Sequence, residues 1–219
     1  MNTRSVRAQL KALYIRMILT GLSVKQHVPT EHLLAAGSIS IGDLAISSMT
    51  LRNIPYDEIY NELDSNDAYH IKLPDGALVI FQYVFDANGN PVKHRLAFFP
   101  SSVLPTLEES PSLYEQDELY ADILMRRIVR FPIRFDYDPS SHEEVTHPIS
   151  HMTLGQFGDC RIPVVSPVMP NTFLKFLLRN FYWRSYRRNM NVFERKMIAG
   201  RPSESITDAE RRISHFVML

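Results

Sequence analysis

Residues 68–99 read AYHIKLPDGALVIFQYVFDANGNPVKHRLAFF, and this stretch decides the fold. Two runs rich in β-branched and aromatic residues, Ala68–Leu73 and Ala77–Phe85, flank Pro74-Asp75-Gly76, a sequence typical of tight turns. A third run, Val92–Phe99, follows a loop that contains Asn88-Gly89, a pair that readily adopts the positive φ angles of hairpins. The stretch therefore predicts three consecutive antiparallel strands.

The segments on both sides of this stretch change between helical and extended periodicity. Apolar residues at helical spacing predict helices over Thr3–Leu22, Ile54–Leu63, Leu113–Arg127 and, from a cap at Asn171 or Thr172, as far as Tyr186. Period-two alternation predicts strands over Val129–Tyr137, Ile149–Leu154 and Cys160–Val165, and a strand or a buried irregular segment over Ser38–Leu51. Thr207 followed by Glu210 is a capping-box sequence, which predicts a final helix.

Together these elements predict one α+β domain over residues 1–219, with N-terminal and C-terminal helices. We expect an antiparallel sheet of about five to seven strands with the helices packed on one face. Hydrophobic residues make up 45% of the chain and charged residues 22%, so it can bury a core without disulfides or metals.

The expected compartment follows from two features of the sequence. Cys160 is the only cysteine, so no internal disulfide can form and the composition gives no support for secretion. The apolar stretch Ala12–Leu22 is too short to span a bilayer, and because Arg16 interrupts it, it lacks the uninterrupted apolar core of a signal peptide. We therefore expect a cytoplasmic protein without a membrane partner.

The charges balance overall but are segregated along the chain. Lys and Arg total 24, as do Asp and Glu, which argues against a wholly basic protein that coats nucleic acid. Lys175–Arg201 nevertheless holds eight basic residues against the single acid Glu194, whereas residues 108–122 hold six acids and no base. This asymmetry predicts either a surface that faces a polyanion or two faces that meet each other.

Several common catalytic signatures are absent from the sequence. It has no phosphate-binding glycine loop, dinucleotide fingerprint, His-Glu-x-x-His helix or Cys-pair zinc site, and no Gly-x-Ser-x-Gly elbow. These absences exclude most common enzyme classes. The candidate chemistry is concentrated instead in a polar segment, Arg134–Arg161, next to predicted strands that could pair.

A metal site is one interpretation of this segment, because its acids and histidines are legitimate ligands for zinc, manganese or iron: Asp136, Asp138, His142, His147 and His151. On one extended strand, His147 and His151 would lie roughly 13 Å apart, too far to share an ion. They could share one only across a tight turn, which Pro148 permits. Alternatively, the acids and His147 organise turns through hydrogen bonds to the backbone.

Metal-independent acid–base catalysis on a phosphodiester is the second interpretation, and it needs no cofactor. A histidine would move protons and an arginine would stabilise the developing phosphorane charge. The candidate catalytic residues are His147, His151, Arg134 and Arg161, with Tyr137 as a possible addition. Alternatively, the arginines form structural ion pairs with nearby aspartates. Cys160 is expected to be a buried small hydrophobe rather than a nucleophile.

A basic aromatic stretch after the polar segment is a candidate surface for nucleic acid. Aromatic rings beside arginines can stack on bases and neutralise phosphates, and the residues concerned are Arg179, Trp183, Arg184, Arg187 and Arg188. Phe181 and Trp183 cannot share one helix face, so part of the aromatic set is expected in the core. The alternative is a solvated helix end, or a surface that pairs with the acidic residues 108–122.

The sequence resembles an uncharacterised bacterial family, domain of unknown function 2290. The resemblance rests on Arg134-Phe-Asp-Tyr-Asp-Pro, His147-Pro-Ile-Ser-His151-Met-Thr-Leu-Gly-Gln, Cys160-Arg-Ile-Pro, Pro167…Pro170, Asn180-Phe-Tyr182 and His94-Arg95-Leu-Ala-Phe-Phe-Pro100, and it covers residues 10–186. It implies no activity. A second resemblance, of pattern only, is to small TumE-type toxins, and it implies a role in defence or stress.

Two hypotheses for the function follow. The first is a nucleic-acid-acting, ribonuclease-like factor of defence or toxin–antitoxin biology, using the candidate catalytic residues with the basic aromatic stretch holding the strand. The second is a non-catalytic subunit or partner-binding module of such a complex, whose partner is encoded nearby. Histidine rings that converge within about 4–6 Å favour the first, and buried histidines bonded to backbone carbonyls favour the second.

Overall fold

The structure, a computed structural model, describes residues 1–42, 54–101, 131–197 and 202–213. The α-helices are α1 Thr3–Leu19, α2 Tyr56–Ser65, α3 Pro170–Phe181, α4 Trp183–Arg188, α5 Met190–Phe193 and α6 Asp208–Arg212. The strands are β1 Lys25–Gln26, β2 Glu31–Leu33, β3 Ile39–Ile41, β4 Ile71–Lys72, β5 Leu78–Phe85, β6 Pro91–Phe99, β7 Ile133–Tyr137, β8 Ser150–Leu154 and β9 Ile162–Pro163. The helix predicted over Leu113–Arg127 and the acidic residues 108–122 lie outside the described residues.

All nine strands belong to one antiparallel sheet, in which β1-β4-β5-β6-β7-β8-β9 form a continuous path. The three strands predicted within residues 68–99 are confirmed, and so is the antiparallel pairing of the longer two, β5 and β6. The expected α+β class is likewise confirmed. Since β2 pairs with β3 and β3 pairs with β5, the sheet also has a branch beside β5.

The branch point has a close backbone approach that only glycine allows. β4 pairs with the start of β5 and β3 pairs with its end, which leaves Phe81 between them. The Phe81 amide donates to Nδ1 of His70 at 3.0 Å. Gly42 lies beside it with φ +88°, and a Cβ there would be 2.4 Å from the Phe81 carbonyl oxygen. Any larger residue at position 42 would have to displace main chain.

Alternate residues of the central strands belong to two different cores, because successive side chains of a strand point to opposite faces. One core lies under α1, α3 and α4 and takes from β5 the residues Val79, Phe81, Tyr83 and Phe85. The other lies under α2 and takes from β5 and β6 the residues Leu78, Ile80, Ala97 and Phe99. Helices therefore pack on both faces of the sheet. The expectation that they pack on one face is wrong, because β5 is apolar on both sides. The smaller core, under α2, covers only part of its face.

The C-terminal helices differ from their predicted form. The cap predicted at Asn171 or Thr172 is wrong, because Pro170 starts α3 and Met169 is its N-cap residue. The helix predicted to run to Tyr186 is two helices, with a break at Tyr182, where φ is −131° and ψ is 46°. The buried Tyr182 hydroxyl donates to Asp75 Oδ2 at 2.7 Å, a tertiary contact that local periodicity does not reveal.

The short elements confirm some predictions and narrow others. Thr207 and Glu210 form the predicted capping box at the start of α6. The strand predicted over Cys160–Val165 is reduced to Ile162–Pro163, because Cys160 closes a turn by donating its amide to the Phe157 carbonyl at 3.2 Å. Among the described residues, no helix combines the length and the apolar character needed to cross a membrane.

Candidate functional site

A row of four polar residues crosses the sheet on the same face as α2. The strand register places Gln82 opposite Arg95, Arg95 opposite Asp136, and Asp136 opposite His151. Directly opposite residues of antiparallel strands point to the same side, so the four side chains lie next to one another. Gln82, Asp136 and His151 are all buried. On this face of the sheet, the row lies next to the apolar core under α2.

A cavity of about 600 Å³ opens over this row. That volume is within the range of small-ligand sites, about 300–1,000 Å³. Its charged and titratable lining, among the described residues, is Lys93, His94, Arg95, Arg134, Asp136, Tyr137, Asp138, His147, His151 and Arg161. Four basic residues face two acids, so with neutral histidines the lining has an excess of two positive charges. The cavity is therefore suited to an anionic group.

Asp136 is the electrostatic centre of the cavity. Its Oδ1 accepts a hydrogen bond of 2.7 Å from Arg95 Nε, and its Oδ2 lies 3.9 Å from Arg134 Nε. Burial raises the pKa of the Asp136 carboxyl, but attraction to the Arg95 and Arg134 guanidiniums outweighs burial and holds the pKa below its ordinary value. Asp136 is therefore ionised at neutral pH.

His151 is oriented by a backbone carbonyl. Its Nδ1 lies 2.8 Å from the Pro148 oxygen. Because a carbonyl oxygen can only accept, Nδ1 carries the proton, and in the neutral ring the lone pair is on Nε2. Nε2 lies 4.0 Å from Asp136 Oδ2. Burial lowers the pKa of His151, and the Pro148 hydrogen bond and Asp136 only partly oppose that effect. The ring is thus a neutral base with a fixed tautomer.

His147 and His151 converge, with ring centroids 5.0 Å apart in an edge-on arrangement of 68°. The two histidines do not share one extended strand, so the separation of roughly 13 Å does not apply: β8 begins only at Ser150, and His147 belongs to a tight turn. That turn is closed by two backbone hydrogen bonds between Glu143 and His147, with Val145 at φ 73°. Burial and the nearby Arg161 lower the pKa of His147.

The two candidate arginines line the cavity from different segments, β7 and the residue before β9. Arg134 is opposite Thr153 in the sheet, and burial lowers the pKa of its guanidinium. Arg161 precedes β9 and donates to the Thr146 carbonyl at 3.4 Å. At the edge of the cavity, Lys93 Nζ binds Asp138 Oδ2 at 2.6 Å. Burial raises the pKa of Asp138, but the hydrogen bond from Lys93 and those from neighbouring serines outweigh it and lower that pKa to about 2.

The remaining residues of the polar segment have structural partners. His142 Nε2 lies 3.3 Å from Glu210 Oε1 in α6 and does not line the cavity. The Cys160 thiol accepts the Leu154 amide at 3.4 Å. Across residues 1–42, 54–101, 131–197 and 202–213, no three His, Cys, Asp or Glu side chains are grouped so that they could hold a metal ion. The described donor set therefore does not fit the metal interpretation.

The basic aromatic stretch lies on the other side of the sheet. α3 and α4 cover the larger core, whereas His151 and Asp136 point away from that core. The side chains of Arg179, Arg184, Arg187 and Arg188 are exposed. Trp183 is half-buried and stacks on Tyr186 with ring centroids 5.9 Å apart. The aromatic rings of this stretch therefore pack towards the core, as expected for part of the set. The basic aromatic stretch does not line the cavity.

Arg95 and Lys93 are the site residues that the polar segment could not reveal. Both lie on β6, roughly forty positions before the aspartates that they bind. Their signal in the sequence is the polar side of an otherwise apolar strand, since Lys93 and Arg95 alternate with His94 and Leu96. Only the register of β6 against β7 assigns them to the site.

Helices cover both faces of the antiparallel sheet, and one face carries a cationic cavity that contains histidines. These features define the class of protein: an α+β protein with a candidate anion-binding site. The chain belongs to the family described as uncharacterized conserved protein (DUF2290), whose model matches residues 22–218. The resemblance to that family is thereby confirmed, and the match continues beyond residue 186. No curated protein and no solved structure matches the chain. The likeness to TumE-type toxins stays a prediction.

Proposed function

We propose that this protein is a nucleic-acid-acting, ribonuclease-like enzyme that cleaves phosphodiesters by metal-independent acid–base catalysis. The proposal is carried by the convergence of His147 and His151, 5.0 Å apart, in a cavity that Arg134 and Arg161 also line. Two adjacent imidazoles can act as base and acid in one transfer. The excess positive charge favours a phosphate in the same cavity.

The division of roles follows from the hydrogen bond of His151. Since Nδ1 carries the proton, Nε2 is free to act as the general base. It would take the proton of an RNA 2′-hydroxyl while that oxygen attacks the phosphorus. His147, in its protonated form, would give a proton to the departing 5′-oxygen. The products are a 2′,3′-cyclic phosphate and a 5′-hydroxyl, with one proton accepted and one released.

The arginines supply the electrostatic part of the proposed reaction. Negative charge increases on the non-bridging oxygens as the phosphorane forms, and fixed guanidiniums stabilise it in a site of low polarity. Arg134 lies 3.9 Å from Asp136, and Arg161 donates to the Thr146 carbonyl at 3.4 Å, contacts that favour their placement before a substrate arrives. Removing one such donor typically lowers the rate by about 10²–10³-fold.

RNA cleavage by the purified protein tests this proposal. Single-stranded and duplex RNA would be incubated with the wild type, His151→Ala and His147→Ala, with EDTA present. We expect cutting by the wild type and loss of cutting in both variants, with unchanged thermal stability in His147→Ala. Because His151 is buried, His151→Ala is assayed at a temperature at which circular dichroism shows that it is folded. His32→Ala is the matched control, because His32 is an exposed histidine on β2 that does not line the cavity. Intact RNA in every wild-type reaction, with and without divalent metals, would refute the proposal.

A second candidate function is a partner-binding module of a bacterial defence or toxin–antitoxin complex. It is favoured by the side chains between residues 19 and 33 that are apolar yet largely exposed: Leu19 at 72%, Val24 at 61%, Val28 at 75% and Leu33 at 80%. The buried His151, bonded to a carbonyl, also fits a structural role. Co-purification with the product of a neighbouring gene tests this candidate, and a strictly monomeric protein without a partner would count against it.

A further inference from the structure

Phe157 is the exposed aromatic side chain of the cavity. It is 75% exposed, and no other Phe, Tyr or Trp among the described residues is classed as exposed. It lines the same cavity as the two histidines and the two candidate arginines. A ring that stays in water contributes no burial free energy to the fold, so core packing does not account for its place. Its position beside a cationic site therefore needs a different explanation.

The loop that carries Phe157 is held in place by its backbone. The Gly155 amide donates to the Pro132 carbonyl at 2.7 Å, and the Cys160 amide donates to the Phe157 carbonyl at 3.2 Å. The Gln156 side chain donates to the Ile54 carbonyl at 2.7 Å. Little conformational entropy of the main chain would be lost when a ligand contacts this loop, since most of the loop is already ordered.

Gly155 allows the Phe157 ring to lie close to the main chain. Gly155 has φ +65°, and a Cβ there would be only 3.2 Å from Cδ2 and Cε2 of the ring. The ring therefore rests against the backbone of Gly155 on one side. With 75% of the residue accessible, much of the ring surface remains open to a ligand. A ring that is supported on one side and open on the other is suited to stacking.

We infer that Phe157 is a stacking platform for an unpaired nucleobase, and that the substrate of the cavity is single-stranded nucleic acid. The inference rests on the proposed function. Cationic side chains that bind phosphate, together with an aromatic ring that accepts a base, are the two components of single-strand recognition. A base inside a duplex has its faces covered by its neighbours, so it cannot stack on a protein ring without leaving the helix.

The spacing along β8 indicates where a nucleotide that stacks on Phe157 would lie relative to the histidines. From His151 to Leu154, β8 extends for three residues, or about 10 Å, and Phe157 lies beyond its end. His147 precedes the start of β8 in the chain. A phosphate between the histidines would place Phe157 against the base of a flanking nucleotide. Phe157 is accordingly a binding and specificity residue rather than a catalytic one.

Binding of labelled oligonucleotides tests this inference separately from catalysis. The probe is a 2′-deoxy oligonucleotide, which lacks the attacking hydroxyl, and binding is measured by fluorescence anisotropy. Phe157→Ala should weaken single-strand binding by roughly 5- to 150-fold, the loss expected for one stacked base. Phe157→Trp should restore binding. Leu33→Ala, which removes an equally exposed apolar side chain from β2, should have no effect.

Two further measurements sharpen the test. An abasic oligonucleotide should bind the wild type and Phe157→Ala equally weakly, because the base that stacks is missing. Trp183 is the only tryptophan of the chain, so Phe157→Trp adds one fluorophore, and its emission should be quenched by a bound single strand but not by a duplex.

The outcomes separate the two proposals. If the wild type cuts RNA while Phe157→Ala binds single strands as tightly as the wild type, the stacking inference is overturned and the proposed function stands. If Phe157→Ala and the abasic strand lose affinity but no RNA is cut, stacking is supported and the proposed catalysis is refuted. A wild type that binds duplex and single strand equally overturns the inference.

Discussion

The ion pair between Arg95 and Asp136 gives the sharpest prediction for stability. Arg95→Met removes the guanidinium but keeps most of the apolar side-chain length. The side chains of Arg95 and Asp136 are only 12% and 10% exposed, so water cannot solvate the remaining carboxylate. Removing one partner of a buried pair typically costs about 3–5 kcal/mol. Since Arg134 still lies 3.9 Å from Asp136, we expect a smaller loss, about 2–3 kcal/mol of the free energy of unfolding.

Equilibrium urea unfolding at pH 7, followed by far-UV circular dichroism, measures this loss. The variant should have a lower midpoint and an unchanged slope, because the surface exposed on unfolding is the same. A double-mutant cycle with Asp136→Asn should give a coupling of more than about 1 kcal/mol between the two residues. Lys25→Met is the matched control, since it breaks an ion pair with Asp67 in which both side chains are nearly half exposed.

Two results would refute the reasoning. One is an Arg95→Met variant that unfolds at the same urea concentration as Lys25→Met, because the buried pair would then behave like an exposed one. The other is a coupling energy near zero, because Arg95 would then stabilise the fold through packing of its aliphatic stem and not through Asp136.

Three further predictions concern the backbone and the histidines. Gly42→Ala should cost about 2–3 kcal/mol by thermal or urea unfolding, and Gly21→Ala, with a positive φ but nothing within 4 Å of its Cβ, should cost less. Burial lowers the pKa of His94 from 6.5 to about 4, so between these values the unfolded chain binds more protons and stability falls as the pH decreases. His94→Gln should remove up to about 3 kcal/mol of that pH-dependent loss of stability. If the stability of His94→Gln falls with decreasing pH as steeply as that of the wild type, His94 is not the cause of the loss. Since burial lowers the pKa of His147 and of His151, RNA cleavage should peak below pH 6.5. Asp136 raises the pKa of His151, so Asp136→Asn should lower that pKa further. The acidic limb of the kcat/KM profile should then move to lower pH.

The sequence predicted the elements whose signal is local. β5 and β6 combine long apolar runs with turn residues between them. The predicted pair His147 and His151 does meet in the structure. Local chemistry therefore identified seven of the ten charged and titratable residues that line the cavity.

The parts that could not be predicted depend on contacts between distant segments. Arg95 joins the site through the register of β6 against β7, which no local pattern specifies. The helix break at Tyr182 depends on Asp75, more than a hundred residues earlier in the chain. β1 and β2 have two and three residues, too few for a periodicity to be recognised. The opposite placement of the basic surface and the cavity likewise depends on sheet topology.

The row from Gln82 to His151 has a consequence for insertions and deletions. Because side chains alternate along a strand, one residue added within β7 would turn Asp136 towards the apolar core and bring Phe135 into the cavity. An extra residue in the Asp86–Asn90 hairpin loop would leave the pairing of β5 with β6 unchanged. Natural length variation among members of the family should therefore fall in that loop and spare β6, β7 and β8.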